Sequence, residues 1–275
     1  MKFKFVRGLW GMAEHSLEAN LKKIKEGGFD AIEVRASFEA DERAEMKELL
    51  NKYELEFIGQ QHSDLFRTTA TVQDHIDYSK EQLDNHKELN AIFVNPHTGK
   101  DYFTLAENAK IIREINAYAD AIDLKVVHEV HRGRFSFSIN TTLEMMEEIP
   151  ELRLNADFSH WCCVHESLLQ NQQERLEKTM ERCDYIHARV GHEQGPQIND
   201  PRCPHNKNAM EAHFTWWDHI VDLNKKRRVD NFYICPEFGP AGYMPTLPLS
   251  NEPITNLWDV NHHILELLQK RYKHF

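Results

Sequence analysis

Short apolar runs recur along the whole chain, separated by stretches in which apolar residues fall at the 3.6-residue spacing of a one-sided helix. Eight runs read as strands, at residues 3–6, 31–34, 55–59, 91–95, 125–130, 152–158, 184–190 and 232–238. The first is followed by a helix with Leu17, Leu21 and Ile24 on one face, which stops at Gly27-Gly28. The clearest helix aligns Leu105, Ala109, Ile112, Ile115, Ala119 and Ile122 on its inward face and opens on a Thr104 and Glu107 capping box. A second box is predicted at Thr141 with Glu144, and a final helix runs from about residue 255 with Leu257, Val260, Ile264, Leu267 and Leu268 inward.

Eight strands that each lead into a helix, in a chain of 275 residues, predict a (β/α)8 barrel, a TIM barrel, in preference to an open doubly wound sheet. No glycine-rich phosphate turn follows the first strand, as a dinucleotide fold would need. The longest loops, residues 191–208 and 239–253, follow strands seven and eight. They belong to the C-terminal mouth, where barrel active sites are built. No low-complexity linker divides the chain, so residues 1–275 are expected to form one domain.

Composition changes this picture by exclusion. Lys and Arg number 33 against 44 Asp and Glu, a formal net charge of −11, which would repel a partner held through a phosphate backbone. Nucleic acid is therefore not expected as a partner. Neither a signal peptide nor an apolar run of membrane-spanning length is evident, so no membrane association is expected. Five cysteines without a CxxC pair argue for reduced thiols and a cytoplasmic location.

Four successive strands end in a candidate metal ligand: Glu129, Asp157, His187 and Glu237. Strand alternation puts Val127, Glu129 and His131 on one face, likewise Tyr185, His187 and Arg189, and Tyr233, Cys235 and Glu237. Each ligand can therefore face the barrel axis. Two unit charges about 4 Å apart cost on the order of 4 kcal/mol at an effective dielectric near 20, so three carboxylates there call for a cation. Any single acid could instead be a solvated strand end or pair with an arginine. Three oxygen donors, one imidazole and no thiolate suit one divalent ion, Mn²⁺ first, with Mg²⁺, Co²⁺ or Zn²⁺ as alternatives.

The strings ending in Glu129, the Asp157 and His160 of DFSHW, HARVGHEQGPQINDPR and PEFGPAGYMPTLP resemble the xylose isomerase-like TIM-barrel superfamily, in its sugar phosphate isomerase/epimerase branch. The resemblance implies one divalent metal on Glu129, Asp157, His187 and Glu237, with Glu129 and Glu237 also moving the proton. A carbonyl and an adjacent hydroxyl held by such an ion would give a stabilised enediolate, and two glutamates from strands separated by two others could work on opposite faces. The expected activity is a metal-dependent isomerase or epimerase of a small carbohydrate. A dehydratase on the same barrel, an apurinic-site endonuclease and a non-catalytic sugar-binding barrel are the alternatives.

His160, Arg189 and His131 are expected to bind substrate oxygens, and Arg132 with Arg134 to grip a phosphate or carboxylate. Trp10 and Trp161 are candidates for an apolar pocket wall. His62, His97, His128 and His192 also fall at or beyond strand ends, a bias that points to a polar pocket; His62 and His97 are expected to bind substrate there, and they stand where the endonucleases carry further zinc ligands. The nearest match to the endonucleases' Asp-x-His element is Asp200-Pro201-Arg202, with arginine in place of the histidine. Glu33 ends strand two and either orients a neighbouring group or pairs with Arg35 or Arg7. Self-association through loops or outer helices is a further expectation, with Phe275 as a contact.

Overall fold

A computed structural model describes residues 1–12, 15–62 and 69–273, so Phe275 lies outside the described residues. Strands and helices alternate as the apolar pattern predicts. The first half contains β1 (Lys2–Gly8), α1 (Leu17–Glu26), β2 (Ala31–Val34), α2 (Ala40–Tyr53), β3 (Glu56–Gln61), α3 (Val72–Glu88), β4 (Val94–Pro96) and α4 (Leu105–Ala121). The second contains β5 (His128–Glu129), α5 (Ile139–Glu148), β6 (Leu154–Ala156), α6 (Ser159–Val164), α7 (Gln173–Met180), β7 (Cys183–His187), α8 (Lys207–Lys226), β8 (Asn231–Cys235) and α9 (Leu257–Tyr272).

The strands pair in parallel in the order β4-β3-β2-β1-β8-β7-β6-β5. The two ends meet through a parallel bridge between Val94 and Val126. There Val94 N–H donates to the Lys125 carbonyl at 2.9 Å, and Val127 N–H to the Val94 carbonyl at 2.8 Å. The sheet is thus a nearly closed (β/α)8 barrel.

Alternation sorts the strand residues into two apolar regions. Val6, Ala31, Ile58, Phe93, Val127, Tyr185, Tyr233 and Cys235 fill the barrel interior. The outward positions, among them Phe5, Ile32, Phe57, Leu154, Ile186 and Ile234, pack against the helices together with Trp216 and Trp217 of α8. The interior layer floors the mouth, so the next inward position on each strand points into the site.

Three local expectations need correction. Apolar runs at 125–130 and 152–158 predict longer strands than β5 and β6, because the runs record burial and the ladder hydrogen bonds end sooner; Val130 and Phe158 remain buried outside the strands. Thr141 does not cap α5: Ser138 does, accepting from the Thr141 N–H at 3.2 Å, because the buried Ile139 and Thr142 already belong to the first turn. Leu105 is exposed, since the first turn of α4 reaches past the core, although the Thr104 and Glu107 capping box is present. No helix among the described residues is long and apolar enough to cross a membrane. All five cysteines are free thiols.

Candidate active site

Glu129 ends β5, His187 ends β7, and Asp157 and Glu237 follow β6 and β8 by one and two residues. Each offers one ligand atom within 4.8 Å of those of the other three, and all four residues are buried. The residues named from strand ends therefore converge on one point at the barrel mouth.

Glu33, at the mouth end of β2, turns inward and supports this group. Its carboxylate accepts a hydrogen bond from the Tyr185 hydroxyl and one from Asn95 Nδ2 at 2.9 Å, and lies 3.0 and 3.2 Å from His187 Nε2. Asn95 Nδ2 also donates to Glu129 Oε2 at 2.7 Å, and His97 Nε2 is 3.0 Å from the same oxygen. With Nε2 engaged by Glu33, His187 turns Nδ1 toward the cluster, 2.9 Å from Glu237 Oε2 and 3.7 Å from Glu129 Oε2. The contact between Nδ1 and Glu237 Oε2 is an ion pair without hydrogen-bond geometry, Arg189 Nη2 stands 3.5 Å from the same Glu237 oxygen, and neither Nδ1 nor Oε2 has a hydrogen-bond partner.

Burial of a polar atom without a partner is costly, so two such atoms facing one point describe a place prepared for a further positive group. The charge count agrees. Four buried carboxylates, Glu33, Glu129, Asp157 and Glu237, face one buried guanidinium lining the mouth, that of Arg189, and the imidazole of His187, which leaves negative charge in excess. A divalent ion on four O and N ligands fits both the count and the donor set.

The titration behaviour reflects the same field. Burial disfavours a charged His187, yet Glu237, Glu33 and Glu129 outweigh it and raise its pKa well above the ordinary imidazole value. Burial likewise opposes ionisation of Glu129, but His97 and His187 prevail and hold its carboxyl well below the ordinary range. Arg189 is kept cationic by Asp157 and Glu237 against the effect of burial. It pairs with Asp157, reaches Ser159 Oγ at 3.1 Å, and places Nη2 2.9 Å from His160 Nε2. That nitrogen must then accept, so His160 carries its proton on Nδ1, which has no partner.

Above the cluster lies a pocket of about 510 Å³ lined by Trp10, His62, His97, Glu129, His131, Arg132, Arg134, Arg189 and Glu237, with Leu9, Val34, Gln60 and Tyr243. Four imidazoles form a ladder along one wall, with centroid separations of 5.8 Å for His62 and His97, 4.5 Å for His97 and His131, and 3.9 Å for His131 and His160. Burial and the neighbouring positive charges hold His131 and His160 well below the ordinary value, which leaves them neutral.

Three expected mouth residues lie elsewhere. Trp161 is fully buried, stacked on Phe158 at 4.7 Å with its indole N–H on the Ser136 carbonyl at 2.9 Å, because α6 turns it back beneath the mouth. His128 faces outward between Thr98 and Asn116. His192 turns into its own loop, where its backbone pairs with Gly195. Asp200 is engaged by the Arg202 side chain at 2.6 and 2.9 Å and by Thr255, so Arg202 supplies no ligand beside it. Tyr243 was not singled out by the sequence; it packs edge-on to Trp10 at 5.1 Å and under the guanidinium groups of Arg189 and Arg132 at 4.5 and 5.1 Å.

Residues 21–244 match the family model described as xylose isomerase-like TIM barrel, and the chain belongs to that family. No curated protein matches it. Among solved structures, a D-tagatose 3-epimerase-like protein is 17% identical with a TM-score of 0.66, covering 98% of each chain. A D-allulose 3-epimerase from Methylomonas sp., in complex with D-allulose, is 14% identical with a TM-score of 0.67, again covering 98% of each chain. A probable 3-DHS dehydratase from Bacillus anthracis is 15% identical with a TM-score of 0.61, covering 98% of this chain and 99% of the other. At these identities the likeness is one of fold.

Proposed function

We propose that the protein is a divalent-metal-dependent sugar isomerase or epimerase, with Glu129, Asp157, His187 and Glu237 as metal ligands and Mn²⁺ as the ion. The observation that carries this reading is the convergence of four buried ligand groups, two of them with atoms that make no hydrogen bond, in a mouth with negative charge in excess. When bound, the ion would polarise a substrate carbonyl and its neighbouring hydroxyl. Glu129, held ionised, can accept the proton from the carbon between them. Glu237, following a strand that two others separate from β5, addresses the other face and, in its carboxylic acid form, would deliver a proton of its own there, which inverts that carbon and leaves the abstracted proton on Glu129; return of that proton by Glu129 to the adjacent carbon exchanges aldose for ketose.

The remaining pocket residues have roles that follow from their charge states. Arg189 stays cationic and the Nδ1–H of His160 is unengaged, so both can donate to substrate oxygens that gain negative charge. His131, His62, His97 and Arg132 offer polar contacts to hydroxyl groups along the wall, and Trp10 offers an apolar face. The epimerases among the structural neighbours support this substrate class. A dehydratase on this site would differ in one step, loss of a β-hydroxyl after the same proton abstraction.

One observation favours a second reading. His97, Glu129 and His131 also bring ligand atoms within 4.8 Å of one another, a place for a second cation as a metal-cluster phosphodiesterase would require. Metal content per chain separates the two: one ion supports the sugar enzyme, two or more with cleavage of abasic DNA the phosphodiesterase.

The deciding experiment incubates ketoses, aldoses and their phosphates with the Mn²⁺-loaded protein in deuterated water. One sugar should take up deuterium at the carbon beside its carbonyl, and Glu237→Gln or Glu129→Gln should slow uptake by about 10²- to 10⁴-fold. Uptake accompanied by loss of water would identify a dehydratase. Sugar binding without any exchange would overturn the catalytic reading.

A further inference from the structure

Behind the catalytic pocket lies a second cavity of about 560 Å³, between the N-terminal ends of α1 and α9 and the backs of the segments that follow β1 and β8. The two share a wall but no lining residue. Trp10 and Tyr243 face the catalytic side, while Gly11 and Ala241 face the other. The chain has 44 acidic residues, yet none of the described residues lining this cavity is acidic; Arg7, His15 and Lys23 are basic.

Arg7 is the unusual member. It follows the inward Val6 on β1, so alternation turns it outward beneath the cavity, and it is only 1% exposed. Its Nη1 donates to the Gly8 carbonyl at 2.6 Å, but Nε and Nη2 have no partner. Burial lowers its pKa to about 10, which still leaves it cationic at neutral pH. A buried guanidinium with two unmet nitrogens is costly unless an anion completes it.

Two further features face the same space. α9, a helix of sixteen residues, presents its N-terminus there through Thr255, Asn256 and Leu257; Asn256 Oδ1 caps the Asp259 N–H at 3.1 Å, and the N–H groups of Leu257 and Trp258 remain as donors beside the partial positive charge. Asn20 of α1, also lining the cavity, spends its amide N–H groups on the Met12 and His15 carbonyls, at 2.6 and 3.3 Å, and leaves Oδ1 without a partner. The site therefore lacks negative oxygens for Arg7 and α9, and a single hydrogen-bond donor for Asn20.

We propose that this cavity binds a phosphate group that retains one proton, its oxygens on Arg7 and the α9 N-terminus and its P–OH on Asn20 Oδ1. Sulfate matches the shape and charge but carries no proton at neutral pH, so it leaves Asn20 unmet. The site therefore discriminates between the two anions. The ligand is either free phosphate or the phosphoryl group of a metabolite.

Calorimetry on the full chain tests this with inorganic phosphate, methyl phosphate and sulfate, each with Mn²⁺ bound and again with Mn²⁺ chelated. Phosphate should saturate one site in both metal states, and sulfate should bind about tenfold more weakly or worse. Arg7→Met should weaken phosphate by about tenfold or more, and Lys23→Glu several-fold through reversed charge at the rim. Methyl phosphate binding more tightly than the free ion would identify a phosphorylated ligand, the reverse order the free ion, and either supports the site. Binding that disappears on chelation, sulfate binding as tightly as phosphate, or unchanged affinity in Lys23→Glu would overturn the proposal; the last decides even if Arg7→Met does not fold. Neither Arg7 nor Lys23 lines the catalytic pocket, and because Arg7 lies in the field of Glu237 the Lys23→Glu result is the one that separates this proposal from the deuterium experiment.

Discussion

His187 is gripped from behind by Glu33, whose carboxylate is fixed in turn by Tyr185 and Asn95. A ligand imidazole held this way keeps its tautomer and its aim, and loss of such a partner ordinarily costs 10- to 100-fold in metal affinity. Glu33→Gln is accordingly expected to weaken Mn²⁺ binding by about 10- to 100-fold while the far-ultraviolet circular dichroism stays unchanged. Titration calorimetry on parent and variant measures this, and equal affinities would show that Glu33 does not position the ligand. The convergence of Glu129, Asp157, His187 and Glu237 was legible in the sequence because each stands at a strand end, and side-chain alternation aims three of them inward. Glu33 was legible only as a choice between two roles, and Asn95 and Tyr243 were not singled out. Their partners stand across the barrel, 154 residues apart for Glu33 with His187 and 62 for Asn95 with Glu33. Trp161 was misplaced for the converse reason: being next to a strand end does not say which way the first turn of α6 points.

Elements were read better than their edges. All eight strands and the helices between them follow from apolar spacing, whereas the start of α5 was placed one turn late, at Thr141 instead of Ser138. Both residues are good caps, and which is used depends on which apolar residues the barrel buries, which local sequence does not state. Ser138→Ala should cost about 1 kcal/mol, read as a lowered denaturation midpoint with unchanged slope. No loss would show that Thr141 can take over the cap. The contact between β3 and α3 is tighter: a Cβ on Gly59 would sit 2.6 Å from the buried His86 ring. Gly59→Ala should therefore destabilise by about 1–3 kcal/mol, the usual penalty of overpacking, and a neutral result would mean that α3 can shift outward.

At the scale of the whole molecule, buried imidazoles set an acid limit. Burial lowers His86 and His128 to about 3 and His213 to about 4. Their folded pKa values lie below the ordinary 6.5, so the unfolded chain takes up protons first as pH drops. Stability is thus unaffected by these groups above about pH 6.5 and is lost progressively below it. At about pH 5 each ring contributes up to about 2 kcal/mol of destabilisation, a large share of an ordinary folding free energy. Thermal melts should fall steeply between about pH 6.5 and 5; a flat profile would show that the rings charge without unfolding. Metal acts in the opposite direction. Mn²⁺ at about 100 times its Kd should stabilise the parent by about 2.7 kcal/mol. The accompanying rise in Tm should disappear in Glu237→Gln.

The barrel has one thin joint, the single bridge by which Val94 meets Val126. Asn95 lies on one side of it and Glu129 on the other, and their side chains are tied at 2.7 Å. A residue proposed for chemistry thus also rivets this joint of the cylinder. Evolutionary drift at Glu129 is then constrained twice over, since a replacement that spared turnover would still have to keep the hoop shut.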